Sequence, residues 1–331
     1  MARILSLANQ KGGVGKTTTT INLGAAMAEL GKRILLVDFD PQGALSVGLG
    51  INPMSIDLTV YNLLLDKTVE PEQVVMKTQI PDIEILPSNI DLSAAEIVLV
   101  SEVAREQALK RALNLLRNRY DYILIDCPPS LGLLTVNALT ASDGVVIPLE
   151  CEYFALRGMA LLLDTVDKVR DRLNPDLKLE GIIPTMFDGR TLHGREVLER
   201  VRSAFGDSLY KTVIRRTIRF AEAPVAGEPI LTYAADSKGA SDYRALAKEV
   251  LGIDDQTREP AGSGRAVQVD IGDRGAAPAG AGLDADAGPA GTPESGQSDS
   301  EIYRQGDEGT RPQNGERETT SRGEGDVLLH P

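Results

Sequence analysis

Through residues 1–253, continuous apolar runs alternate with stretches whose apolar residues recur at helical spacing. The runs at 4–8, 34–37, 83–86, 122–125, 144–149 and 181–185 are bounded by turn residues, and 210–213 is a seventh candidate. Positions that are apolar in succession, rather than alternately, suit strands covered on both faces. Helix-length segments fall between them at 18–30, 91–116, 131–141, 154–169, 195–205 and 237–251. The alternation predicts an α/β fold: a doubly wound, mostly parallel sheet of about seven strands, with right-handed crossovers and helices on both faces. In such a sheet, ligands bind at the carboxyl ends of the strands.

The pattern stops after Leu251-Gly252-Ile253. From Gln256 onward there are 14 acids against 7 arginines, and Gly plus Pro make up about a quarter of the residues. This predicts an acidic, Gly/Pro-rich disordered tail at 254–331 after a globular domain at 1–253. A partner-binding segment is the alternative. No run approaches the ~18 apolar residues of a spanning helix. Residues 1–6 lead into no long apolar stretch with a cleavage site, so a cytoplasmic chain without integral membrane association is expected. Two cysteines, Cys127 and Cys151, exclude a disulfide-rich scaffold and a four-thiolate zinc site and are read as small core fillers. His193 and His330 have no partners at metal-ligand spacing. The net charge of −13 argues against a polybasic nucleic-acid coat but leaves room for a local basic patch.

Lys11-Gly12-Gly13-Val14-Gly15-Lys16-Thr17-Thr18 follows the first run and opens the first helix, the context a phosphate-cradling loop requires. The glycines let successive N–H groups point at phosphate oxygens, and the helix N-terminus adds positive potential. Lys16 places a cation on the β/γ-phosphates, and the Thr17 hydroxyl can ligate Mg²⁺. The loop departs from the general Gly-x₄-Gly-Lys-Ser/Thr form and carries a second lysine, Lys11, at its start. That side chain need not reach its own nucleotide and can extend across an interface to a partner's phosphates.

Asn9-Gln10-Lys11-Gly12-Gly13-Val14-Gly15-Lys16-Thr17-Thr18-Thr19, then Asp38-Phe39-Asp40-Pro41-Gln42-Gly43 and Asp126-Cys127-Pro128-Pro129-Ser130-Leu131-Gly132, resemble in order the three nucleotide motifs of the ParA/MinD ATPase superfamily, with its deviant Walker A loop. Cys151-Glu152-Tyr153-Phe154-Ala155-Leu156 and Glu222-Ala223-Pro224 resemble the chromosomal ParA (Soj) branch, and the resemblance spans residues 1–252. It implies a P-loop ATPase using ATP and Mg²⁺, with slow, partner-stimulated hydrolysis.

Asp126, at the end of the strand predicted over 122–125, can hold the Mg²⁺ shell through water. Hydrolysis needs a group that orients the attacking water. The resemblance gives that role to Asp40, while Asp38 supports the loop or the metal shell. An Asx turn before Pro41 is the structural alternative.

Residues 211–220 carry Lys211, Arg215, Arg216 and Arg219 and no acid, while Arg190 and Arg195 flank His193, and Arg200 and Arg202 follow. Such a cluster in a net-negative chain is a candidate phosphate-backbone surface. It lacks interleaved aromatics, so sequence-independent binding of double-stranded DNA is expected. The resemblance points to Arg190 and Arg219, with Arg216 in the same cluster. The alternative is a solvated face ion-paired to Glu196, Glu199 or Glu222. In the Soj-like pattern Pro and Asn flank the arginine before Glu222-Ala223-Pro224 and help hold adenine. Here Arg215 and Thr217 flank Arg216, which leaves the base contacts open.

The resemblance further implies a homodimer formed on ATP, non-specific DNA binding on the nucleoid, and a ParB-like (Spo0J-like) protein that stimulates hydrolysis, together serving chromosome or plasmid partitioning or cargo positioning. A MinD-like membrane-associated positioning ATPase is the rival; it needs a basic amphipathic C-terminal helix, whereas this C-terminus is acidic. A metabolic ligase or reductase on the same fold would need an added substrate site or cluster ligands.

Overall fold

The computed structural model describes residues 1–151 and 155–253; the tail expected at 254–331 and residues 152–154 of the Soj-like motif lie outside the described residues. The strands are β1 (Arg3–Leu7), β2 (Ile34–Asp38), β3 (Met76–Lys77), β4 (Ile83–Leu86), β5 (Tyr122–Asp126), β6 (Gly144–Glu150) and β7 (Lys178–Thr185). They form one sheet in the order β3-β4-β2-β5-β1-β6-β7, parallel except for the edge strand β3. The helices are α1 (Lys16–Glu29), α2 (Ala44–Gly48), α3 (Val60–Leu65), α4 (Pro71–Val74), α5 (Leu92–Val98), α6 (Ala108–Leu116), α7 (Leu133–Ala141), α8 (Ala155–Arg172), α9 (Leu192–Phe205), α10 (Arg219–Ala226), α11 (Ile230–Tyr233) and α12 (Lys238–Leu251). Among the described residues no helix is long and apolar enough to cross a membrane.

Alternate residues of one strand feed opposite cores. Leu35 and Val37 of β2 join the cluster under α5 to α9, and Ile34 and Leu36 join the cluster under α1, α2, α11 and α12. With both faces covered, Ile34 to Val37 are apolar in succession. Gly24 brings α1 onto the sheet so closely that an added Cβ would stand 2.9 Å from the Leu36 side chain.

Two expectations are corrected. Residues 210–213 are not a strand: Tyr210 N donates to Ile182 O (2.9 Å) and Ile214 N to Pro184 O (2.8 Å). Four residues of this segment thus span two of β7, and no continuous ladder can form. The seventh strand is instead β3, two residues paired antiparallel to β4. The single helix expected at 91–116 is broken by 3-10 turns at Leu99–Ser101 and Arg105–Gln107, with Ala104 between them at φ 55°. Val98, Val100 and Val103 are β-branched and exposed, so neither propensity nor burial holds that stretch helical. The sequence pattern also missed the short helices α2, α3, α4, α10 and α11.

Candidate nucleotide-binding site

Register places the chemistry. Leu7 pairs with Asp126, and Asp126 with Asp38, so the loops leaving β1, β2 and β5 open side by side on one edge. The β1 loop curls through Gly13 (φ 76°) and Gly15 (φ 87°), a conformation that strains any side chain, and the space a Cβ would take at each is open. Two anchors hold the loop. Thr185 Oγ1 at the end of β7 donates to Val14 O (2.9 Å). Asn9 donates through Nδ2 to Pro148 O (2.8 Å) and accepts Lys11 N (3.0 Å). Asn9 and Thr185 were not singled out from the sequence; Asn9 stood there only as a letter of the motif.

Lys16 is buried at the start of α1, and its Nζ donates to Lys11 O (3.2 Å). Burial lowers the ammonium from its ordinary value, and Asp126 pulls the other way. Thr17 Oγ1 donates to Asp126 Oδ2 (2.6 Å). Asp126 and Asp38 are both fully buried. Burial first, then the neighbouring Asp38, pushes the Asp126 carboxyl up to about 8. Burial raises Asp38 to about 7 against the pull of Ser46, whose N (2.8 Å) and Oγ (2.7 Å) donate to it. The Thr17 hydroxyl and the Asp126 carboxylate are hard oxygen donors of the kind Mg²⁺ takes. Among the described residues no group of three or more His, Cys, Asp and Glu forms a metal cage.

Asp40 does form the Asx turn: its Oδ1 accepts Gln42 N (3.0 Å) while its carbonyl accepts Gly43 N (3.0 Å). The turn occupies one carboxylate oxygen and sets the side chain beside Lys16. Lys11 is half-exposed at the rim, with Nζ 2.7 Å from Glu150 Oε2. Cys127 is buried and its thiol pushed up by burial, as a core filler should be.

Beside the phosphate loop lies a cleft of about 200 Å³ lined by Gly15, Thr18, Thr185, Met186, Ile214, Arg215, Arg216, Thr217, Phe220, Ala221 and Tyr243. The structure thus brings Thr18, Arg215, Arg216 and Thr217 to one place. Phe220 stands edge-on to Tyr243 (centroids 5.7 Å apart), and the Tyr243 hydroxyl meets Thr19 Oγ1 at 3.1 Å. Arg215 bonds Asp242 of α12, a residue the sequence did not flag. Of the basic residues, Arg190 pairs with Asp188, Arg202 with Glu199 and Arg219 with Glu222, each at 2.8 Å. The ion-paired alternative therefore holds at Glu199 and Glu222. These exposed pairs are weak and exchangeable.

A family model described as an AAA domain matches residues 2–179. The sporulation initiation inhibitor protein Soj of Bacillus subtilis is 52% identical over 250 residues, covering 76% of this chain and 98% of Soj. The chromosome partitioning protein ParA of Caulobacter vibrioides is 47% identical over 251 residues, 75% of this chain and 94% of that one. Among solved structures, a Mycobacterium smegmatis protein named cobyrinic acid a,c-diamide synthase, holding ADP and magnesium, is 44% identical with a TM-score of 0.68, over 76% of this chain and 94% of that one. The cell division ATPase MinD of Pyrococcus furiosus is 28% identical with a TM-score of 0.64, over 76% and 100%. With its phosphate loop, its two acidic loops and these relatives, the chain carries the AAA family domain and belongs to the ParA/MinD superfamily of ATPases, on the ParA/Soj side.

Proposed function

We propose that this chain is an ATP-driven partitioning switch: ATP closes two copies face to face, the closed dimer holds DNA without regard to sequence on the nucleoid, and a ParB-like protein triggers hydrolysis and release. The observation that carries the reading is the different placement of two lysines in one loop. Lys16 Nζ sits inside the loop, while Lys11 Nζ sits at its half-exposed rim on Glu150. Lys16 meets the β/γ-phosphates of its own nucleotide, and Lys11 crosses to those of its twin. Backbone N–H groups from Gly12 to Thr18 cradle the phosphates. Thr17 and Asp126 would hold Mg²⁺, which would supply positive charge to the phosphates. Asp40 orients the attacking water. Thr18, Arg215 and Thr217 line the cleft for the base. Arg190 and Arg219 meet DNA phosphates by exchanging Asp188 and Glu222 for them, with Arg216 beside them, which makes retention salt-sensitive.

Light scattering with and without ATP tests the pairing. Wild type doubles in mass with ATP and Lys11→Ala does not. If Lys11→Ala pairs as wild type, the switch is wrong and only a nucleotide binder remains. Co-sedimentation with DNA and with liposomes, each with ATP, separates this reading from a MinD-like membrane switch, for which liposomes would carry the protein down. The name of the M. smegmatis relative raises an amide-forming ligase. The cleft beside the phosphate loop, about 200 Å³, is below the ~300–1,000 Å³ of sites for larger small molecules and suits a base alone.

A further inference from the structure

Arg215 stands where the Soj-like pattern has a proline, in the wall of the cleft beside the phosphate loop. Its partner comes from another element. The Asp242 side chain on α12 is only 9% exposed; its Oδ2 accepts Arg215 N at 3.2 Å and its Oδ1 accepts a guanidinium N–H. One carboxylate therefore fixes both the backbone and the charge of this wall residue, 27 positions away. A free guanidinium at such a wall would present a planar fork of donors. Guanine offers that fork two adjacent acceptors, O6 and N7, whereas adenine offers N7 beside the N6 amino donor, which opposes it.

We propose that Asp242 is a positioning residue for base specificity: by holding the Arg215 guanidinium, it keeps a guanine-selecting fork off the purine edge and so favours adenine in the cleft. The inference rests on the cleft being the base pocket of the proposed ATP site. Asp242→Asn keeps volume and an acceptor for Arg215 N but loses the charge that holds the guanidinium.

The test measures Mg-ADP and Mg-GDP affinities by calorimetry on the full chain for wild type, Asp242→Asn, Arg215→Ala and the double variant. Wild type prefers ADP. Asp242→Asn shifts the ADP:GDP ratio toward GDP by at least about fivefold, the lower end of what a bidentate base contact discriminates. The double variant restores the wild-type ratio because the freed fork is gone, and Arg215→Ala alone, which trims the cleft wall for both purines alike, lowers both affinities by the same factor and leaves the ratio. An equal loss of both nucleotides in Asp242→Asn, which is what a merely structural role gives, overturns the proposal. So does a shift that persists in the double variant. Should Asp242→Asn fail to fold, a changed ratio in Arg215→Ala overturns it by itself. Wild type that binds neither nucleotide sinks the site reading instead, and wild type that binds both equally sinks the specificity claim alone.

Discussion

Replacing Asp126 with Asn isolates the buried carboxyl pair without changing the shape of the sheet. Asp126 and Asp38 are register partners at the ends of β5 and β2, both fully buried and raised to about 8 and about 7. In the unfolded chain both titrate near the ordinary Asp value of about 4. Between about pH 5 and pH 6 the folded protein therefore keeps close to two protons that the unfolded chain has lost, and toward pH 7 the Asp38 proton begins to leave. A carboxyl raised on folding makes the fold less stable as pH climbs from its unfolded to its folded value. Each retained proton contributes a loss of about 1.4 kcal/mol per pH unit, so the pair contributes about 2.7. Asp126→Asn leaves one carboxyl, Asp38, still raised by its own burial, so the contribution falls to about 1.4. Urea unfolding in a chelator without nucleotide, at about pH 5, 6 and 7, reads the slope. The variant gains on wild type with each step upward. Equal slopes would refute the pair, because every other titrating group is common to both proteins. The same substitution weakens Mg-nucleotide binding, which needs the ionised Asp126. Greater stability and lost ligand affinity are thus expected in one variant.

Asp40→Ala is expected to bind ATP, lose hydrolysis and persist as a dimer on DNA; turnover at the wild-type rate would leave Asp40 with only its Asx turn. Arg219→Glu should retain the ATPase and lose DNA retention at low salt, since it replaces a cation already half balanced by Glu222 with a second acid; unchanged retention removes it from the surface. Gly227→Ala meets both a left-handed backbone (φ 71°) and a Cβ 2.8 Å from Gly50 Cα, which is backbone and cannot turn aside. Denaturant titration should show a loss of about 1–3 kcal/mol, and an unmoved midpoint would mean the α2–α10 contact yields freely.

The parts of this molecule legible in its sequence are those whose causes lie close together along the chain. The β2 residues Ile34, Leu35, Leu36 and Val37 read as a doubly covered strand because the two cores take alternate positions of one run. The phosphate loop reads because its glycines at positive φ, its lysine and its hydroxyl are contiguous. Where the cause is distant, the pattern misleads. Tyr210 and Val213 pack into the cores and lend 210–213 a strand-like look, yet the segment's bonds fall out of step with β7. The edge strand β3 carries only Met76 and Lys77, too few to show a period.

The candidate site divides along the same line. The proposed phosphate contacts come from consecutive residues 11–18. The base cleft is assembled from residues near 15–18, 185–186, 214–221 and 243, contributed by four separate stretches of chain. Arg215 is therefore visible in the sequence as a departure from a pattern, but its chemical sign is not. A lone guanidinium at that wall selects for guanine, while one neutralised by Asp242 does not. No spacing rule links positions 215 and 242; the packing of α12, whose Glu249 also accepts Lys211 N and Thr212 N, brings the second residue to the first. Exchanging either residue alone in a relative should therefore change base preference less predictably than exchanging the two together.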